Sequence, residues 1–235
     1  MSGPGRSLAD LHCHTSASFD SLAKPEQVAR AAAERGLTHL AITDHDRIDG
    51  ALRARDSAPD ELSIIVGQEV RTTTGDLIAL FVERPIAPGM APYEAAQAIH
   101  EQGGVVGLAH PFDRFRAGAG RKGWEDELER VVPALDYVEV WNARLMVGDG
   151  NRRAADYALL HDLTGVAASD AHTVMEVAVA YTILDGPIDS AEQLRAALAA
   201  GPQLVTAHGS RLIRLTMPFI KVVQMARGNR RVSAA

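Results

Sequence analysis

The stretch Asp10-Leu11-His12-Cys13-His14-Thr15 ends a short apolar run that begins at Leu8. On an extended strand, side chains two residues apart share a face. His12 and His14 therefore project together, and a neutral imidazole is the commonest protein metal ligand. An HxH pair alone also fits buried structural histidines. The choice turns on further signals, each just after an apolar, strand-like run: Thr43-Asp44-His45, Gly67-Gln68-Glu69, Ala109-His110-Pro111 and Ser169-Asp170-Ala171-His172. Ordinary core packing gives no reason for that recurrence. Histidine and carboxylate donors without thiolates suit Zn, Mn or Fe at a catalytic centre rather than a closed structural zinc. Glu69 is the natural bridge, because one carboxylate offers two oxygens and can hold two cations about 3.5–4 Å apart. Asp170 and His172 repeat the i, i+2 geometry and can reach neighbouring ions. Asp44, beside His45, has three roles open to it: ligand, orienting partner of a ligand histidine, or proton carrier. His39, His100, His161 and His208 sit at a strand start, at a helix end, on a helix and after the last strand. They read as structural or surface residues.

The elements that must position these groups alternate. A strand over Leu8 to His12 is followed by a helix that starts at Pro25-Glu26, a pair suited to the first turn, and ends near Gly36. Strands follow at 38–43 and 62–66, the second delivering Glu69. Residues 70–74 and 76–82 flank Gly75 and predict a hairpin. A helix over 92–102, a strand over 105–109, a helix over 124–132 and a strand over 135–141 come next. Then come a helix over 151–163, a strand at 166–168 running into Asp170, strands at 177–184 and 203–206, and a helix over 190–200 between them. This alternation predicts one α/β domain over 1–235 with a mainly parallel sheet. Its core spans about 8–206, and the polar motifs lie at the C-terminal strand ends, where parallel barrels keep their active sites. The segment 211–235 stands apart. Residues 217–226 predict a helix with Pro218 at its start and a broad apolar face (Phe219, Ile220, Val222, Val223, Met225). That face docks on the barrel or offers an oligomer contact.

Composition narrows the class. The chain has 235 residues, 46% hydrophobic and 23% charged, with a net charge of −6. Bulk electrostatics therefore do not advertise stable nucleic-acid binding. The single Cys13 excludes an internal disulfide framework; it faces away from the two histidines and reads as a small core residue. No apolar leader and no run of about 18 apolar residues appears, so a cytoplasmic protein that does not span a membrane is expected.

Taken together, these motifs and the stretch Glu139-Val140-Trp141-Asn142 resemble the PHP family, the polymerase and histidinol phosphatase superfamily. The likeness runs from about Leu8 to Thr206. It implies a distorted (β/α)7 barrel and two or three divalent ions. It further implies one ion on His12, His14, Glu69 and Asp170, a second sharing Glu69 and adding His110, and a third on Asp20, His45 and His172. Many members carry histidine where Asp20 stands. Asn142 occupies a position held by histidine or cysteine in other members, which makes Mg possible at that site. On an ideal strand Glu139 and Trp141 share one face, Val140 and Asn142 the other. Asn142 is then the better ligand unless the strand bulges.

Phosphate also needs cations, and Arg114, Arg116 and Arg144 follow the His110 and Asn142 motifs closely. Arginine suits bidentate phosphate contacts. The expected activity is hydrolysis of a small phosphomonoester, possibly nucleotide-derived, with Asp44 protonating the leaving oxygen. The alternatives are a phosphodiesterase or short-oligonucleotide exonuclease, a non-catalytic structural or regulatory PHP module, and a barrel amidohydrolase. The last of these commonly needs a bridging lysine. The lysines here are Lys24, Lys122 and Lys221, and none ends a strand.

Overall fold

The computed structural model of the chain describes residues 5–113 and 124–233. Arg114, Arg116 and Lys122 lie outside the described residues. In chain order the elements are β1 (Arg6–Asp10), α1 (Pro25–Glu34), β2 (His39–Ile42), α2 (Asp49–Arg55), β3 (Ser63–Arg71), β4 (Asp76–Leu80), α3 (Pro92–His100) and β5 (Val105–Leu108). They continue with α4 (Trp124–Val131), β6 (Tyr137–Asn142), α5 (Gly150–Leu160), β7 (Gly165–Ala168), β8 (Tyr181–Asp185), α6 (Ala191–Ala199), β9 (Gln203–Val205) and α7 (Arg211–Ala226).

One nine-stranded sheet runs β7-β6-β5-β4-β3-β2-β1-β8-β9. Strands β1 to β3 are parallel, as are β5 to β7. Strand β4 lies antiparallel between β3 and β5, because the Gly75 hairpin returns the chain directly. The sheet curls into a nearly closed α/β barrel, and the seam is sewn at its C-terminal end. Asp170 N–H donates to His12 O at 2.9 Å, and His14 N–H donates to Ala171 O at 2.8 Å. The metal-ligand motifs are thus the closing stitches of the barrel. Asp10 reinforces them from below, accepting from Ser169 N–H at 3.0 Å and Ala178 N–H at 3.2 Å. Its burial pushes the carboxyl up to about 6.

The barrel interior is filled by Leu11, Ile65, Ile78, Leu80, Tyr137 and Val166 with their neighbours. Each large apolar side chain buried there contributes roughly 1.5–3 kcal/mol. Gly107 makes room for the Tyr137 ring; a Cβ at 107 would sit 2.2 Å from it. On the outside, α1 lays Val28, Ala29 and Ala32 on the sheet, and Cys13 is buried in that outer layer.

Two elements differ from the sequence reading. Helix α2 follows the Asp44-His45 motif where no helix is expected, and buries only the small residues Gly50, Ala51 and Ala54. Helix α7 starts at Arg211, with Pro218 inside it rather than at its start. Tertiary contacts hold it there. Gln224 Nε2 donates to Ser16 O at 3.0 Å and Ser18 O at 2.9 Å, and Asn229 Nδ2 donates to Ala17 O at 3.0 Å. The C-terminal segment thereby docks on the loop after β1. Leu212, Leu215, Phe219, Val222 and Met225 remain exposed on α7. Among the described residues no helix is long and apolar enough to cross a membrane.

Candidate metal centre

Glu69 occupies the middle of the site, fully buried. It is carried past the end of β2 on β3 and held by its own N–H to Thr43 O at 3.1 Å. Its Oε1 faces His110 Nε2 at 3.0 Å. Its Oε2 faces His45 Nδ1 at 2.9 Å, His14 Nε2 at 3.3 Å and His12 Nε2 at 3.5 Å. One carboxylate is therefore shared among four imidazoles, with its two oxygens turned to different sets.

Neighbouring hydrogen bonds fix the tautomers. His12 Nδ1 lies 2.6 Å from Glu139 Oε1, so it carries the proton and leaves Nε2 as a lone pair. Ser18 Oγ–H donates to Asp44 at 2.6 Å, so Ser18 Oγ accepts from His14 Nδ1–H at 3.0 Å. With both rings neutral, the two Nε2 lone pairs meet 2.9 Å apart. Two acceptors that close repel unless a cation answers them: in the metal-free chain burial opposes charge on His12, but Glu139, Asp170 and Glu69 favour a proton there, and a metal ion fits the same donor set. Asp170 Oδ1 lies 3.4 Å from His14 Nε2 and 3.7 Å from His12 Nε2. On the far side, Asp20 spans His45 Nε2 and His172 Nε2, each at 3.4 Å. His172 donates Nδ1–H to Asp170 O at 2.9 Å, which leaves its Nε2 free to face Asp20.

Ligand atoms converge in overlapping groups within 4.8 Å of one another: His12 with His14 and Glu69, His12 with His110 and Asp170, His14 with His45 and His172, and Glu69 with Asp76 and His110. Backbone strain accompanies this convergence. His110 and Asp170 sit at φ 25° and 50°, a conformation that non-glycine residues avoid and that marks functional sites. Electrostatics match the packing. Burial opposes charge on Glu69 and Asp20, but the surrounding imidazoles, His45 foremost, hold both carboxyls well below the usual range. Burial also opposes charge on His45, yet Glu69 and Asp20 prevail and push it up to about 10. Burial, then the Arg144 guanidinium, drives His172 down to about 3.

The profile of the PHP domain matches residues 10–128, just over half the chain, and a PHP-associated profile matches residues 148–202. The chain belongs to the PHP domain family. An uncharacterized protein of Methanocaldococcus jannaschii is 31% identical over 172 residues, 73% of this chain and 68% of the relative. A two-domain protein of Bacteroides vulgatus containing a predicted PHP-like metal-dependent phosphoesterase shares the fold at a TM-score of 0.70 and 18% identity. The match covers 86% of this chain and 65% of that one, so the chain spans just under two thirds of its neighbour. The lesion-specific endonuclease Q of Pyrococcus furiosus shares the fold at 0.63 and 17% identity, over 85% of this chain and 57% of that one.

Against the PHP frame, the structure gathers His12, His14, Asp20, His45, Glu69, His110, Asp170 and His172 around one centre. It gives two assigned residues other roles. Asn142 is engaged by its neighbours. Its Oδ1 accepts from Arg144 N–H at 3.0 Å, and its Nδ2 donates to Glu139 Oε2 at 3.0 Å and Asp170 Oδ2 at 3.1 Å. Asp44 is turned to the loop after β1. Its carboxylate accepts from Thr15 N–H at 2.7 Å, Thr15 Oγ–H at 2.6 Å, Ser18 N–H at 3.2 Å and Ser18 Oγ–H at 2.6 Å. It moors the loop that carries Asp20. A Cβ on Gly50 would lie 2.0 Å from Asp44 Oδ2, so α2 must begin with a residue that has no side chain there.

Two acids were not read as site residues. The register of β6 against β7 shifts between Glu139 and Trp141. Glu139 faces inward two residues after Tyr137, and the bulge at Val140 brings Asn142 to the same face; there Glu139 orients His12 and accepts from His110 N–H at 3.0 Å. Asp76 joins Glu69 and His110 from the hairpin, outside every motif. His39, His100, His161 and His208 stay away from the centre, pairing with Asp189, Asp136, Glu129 and the Trp141 ring.

Protons and metal ions compete for the same nitrogens. His45 rises from 6.5 to about 10 in the folded, metal-stripped chain. Its contribution to stability is therefore complete below pH 6.5 and is lost as pH climbs towards 10. Metal needs the deprotonated ring, so its affinity runs the other way. The rise in Tm on adding Mn2+ is expected to grow between pH 6.5 and about pH 9. A metal-induced shift that stays constant across that range in scanning fluorimetry contradicts this electrostatic picture.

Proposed function

We propose that the chain is a metal-dependent phosphoesterase acting on a small phosphomonoester such as a nucleotide derivative. The observation that carries this reading is the juxtaposition of the Glu69-centred ligand set with a cationic cavity. The cavity has a volume of about 580 Å3, and its lining includes Asp20, His45 and Asp76 from the centre and Arg144, Arg214, Lys221 and Arg231 opposite them. Bound ions supply Lewis acidity that polarises the phosphoryl group and activates the attacking water.

The chain's own residues do the rest. Glu139 and Ser18 lock the rings of His12 and His14. Arg144, 9% exposed, presents a guanidinium suited to phosphate oxygens. Helix α7 walls one side of the cavity, with Lys221 and Arg231 each over the Phe19 ring at 5.5 and 5.1 Å and Phe19 stacked on His45 at 4.9 Å. A walled cavity of this size favours a small substrate over a long polynucleotide. The phosphodiesterase reading remains the alternative and is separated by assaying a phosphodiester beside the monoester. The same proposal sets the protein to work in the cytoplasm, in keeping with its one buried, unpaired cysteine.

The test is Arg144→Ala. Metal content is expected to stay intact, because Arg144 contributes no ligand. A charged hydrogen bond of this kind is worth about 1.5–3 kcal/mol, so kcat/KM for a phosphomonoester should fall roughly ten- to a hundred-fold. Wild-type kcat/KM in this variant refutes the phosphate grip. Absence of phosphate release from any monoester by metal-loaded wild type refutes the activity.

A further inference from the structure

Helix α7 turns an apolar face to solvent. Its inner side buries Met217, Ile220 and Gln224. On its outer side Leu212, Leu215, Phe219, Val222 and Ala226 follow one another in alternating steps of three and four residues, and all five are exposed. Leu212, Leu215 and Phe219 are exposed by 76%, 78% and 68%. Steps of three and four are the a and d positions of a heptad, the seam by which two helices pair. The flanking e and g positions hold Thr216, Val223, Pro218 and Met225, and Arg211 is the one charge there. A helix that only meets water keeps polar residues outward, whereas a contiguous exposed apolar stripe marks an interaction surface. Beside the seam lies a groove of about 540 Å3, walled by Leu145, Met146 and Val147 on one side and by Arg211, Arg214 and Leu215 on the other.

We infer that this face pairs with α7 of a second copy of the chain, the two helices antiparallel across a two-fold axis. A symmetric pair uses one patch twice, residue i meeting j and j meeting i. Set antiparallel, Phe219 of each copy comes opposite Leu215 of the other, and Leu212 opposite Val222. The Phe219 ring then enters the groove beside Leu215. Each Arg211 comes to the C-terminal turn of the other helix, where the dipole favours a cation. A large apolar side chain taken out of water hides on the order of 100 Å2. Leu212, Leu215, Phe219, Val222, Met225 and Val147 from both copies therefore reach the roughly 1,000 Å2 that a specific interface requires. Charge favours the same occupant. Residues 211–235 hold six Lys and Arg and none of the Asp and Glu of a chain whose net charge is −6. A second copy offers an acidic body to this basic segment, whereas an anionic lipid surface would repel that body. Arg214 and Lys221, the cations beside the seam, line the cavity at the metal centre instead of rimming a membrane plane.

Sedimentation equilibrium across the micromolar range tests the pairing, with folding followed by circular dichroism. Wild type is expected at twice the chain mass, dissociating on dilution, and its Tm should rise with protein concentration. Phe219→Asp and Leu215→Lys each put a charge on the seam and should shift the protein to the chain mass with its helical spectrum retained. Chains with Leu215→Cys mixed with chains with Phe219→Cys should cross-link on mild oxidation faster than either variant alone, a readout that needs no monomeric variant to fold. Wild type at the chain mass throughout overturns the inference, and co-flotation of that monomer with phosphatidylglycerol vesicles would assign the face to lipid. A dimer that survives both charged substitutions at wild-type affinity overturns the α7 seam, and faster cross-linking of either cysteine variant alone overturns the antiparallel register.

Discussion

Glu69→Gln is expected to lose metal and activity together. The substitution keeps the shape of the side chain and removes one charge. That charge holds two sets of imidazoles, His110 on one oxygen and His45, His14 and His12 on the other. An ion on either side loses its anionic partner at once. Breaking one half of a buried ionic arrangement costs about 3–5 kcal/mol, so kcat/KM should drop on the order of a thousandfold, well beyond the effect of Arg144→Ala. Elemental analysis should show at least one ion missing per chain. Retention of full metal content and full activity would falsify the bridged arrangement. The two variants thus separate assembly of the metal centre from the grip on substrate.

Asp44→Ala is expected to unfold the site from beneath rather than to block a chemical step. The carboxylate answers four donors from Thr15 and Ser18. Removing it leaves those donors buried and unsatisfied, and hydrogen bonds to a charged group are worth about 1.5–3 kcal/mol each. A stability loss of about 3–5 kcal/mol is expected, within the range for a broken buried network. The loop also carries Asp20, which spans His45 and His172, and Ser18, which orients His14. Metal affinity should therefore fall with stability. If Asp44 were instead the acid that protonates the leaving group, its loss would depress kcat and remove one limb of the pH–rate profile, with Tm and metal content unchanged. Urea unfolding and metal analysis of one variant distinguish the two.

The candidate ligand set, the loop residue Asp20 apart, was legible because its members follow apolar strand runs, where position along the strand fixes the face a side chain presents. His12 and His14 needed only the period of two, and Glu69, His110 and Asp170 followed from the apolar runs before them. Glu139 was not legible, since an ideal strand puts it and Asn142 on opposite faces, whereas the bulge between Glu139 and Trp141 leaves both facing the centre. Asn142 has a chain position facing the centre, but its amide is turned by Arg144 N–H and by two carboxylates, contacts that spacing does not encode. Asp44 stands next to a ligand, and its partners Thr15 and Ser18 lie 29 and 26 residues away in sequence. Asp76 belongs to no motif and arrives through hairpin pairing. The docking of α7 turns on Gln224 and Asn229 finding carbonyls some 200 residues away, and no local pattern announces that.

The account stands or falls on whether hydrolysis of a phosphomonoester follows occupation of a multi-ion centre. The direct measurement takes metal-stripped protein, adds Mn2+ in steps, and records phosphate release from an aryl phosphate against ions bound per chain. Two ions bridged by one carboxylate act as a unit, so release should be near background with one ion bound and rise steeply as the second is taken up. Full release with a single ion per chain, or equal release with none, would contradict it.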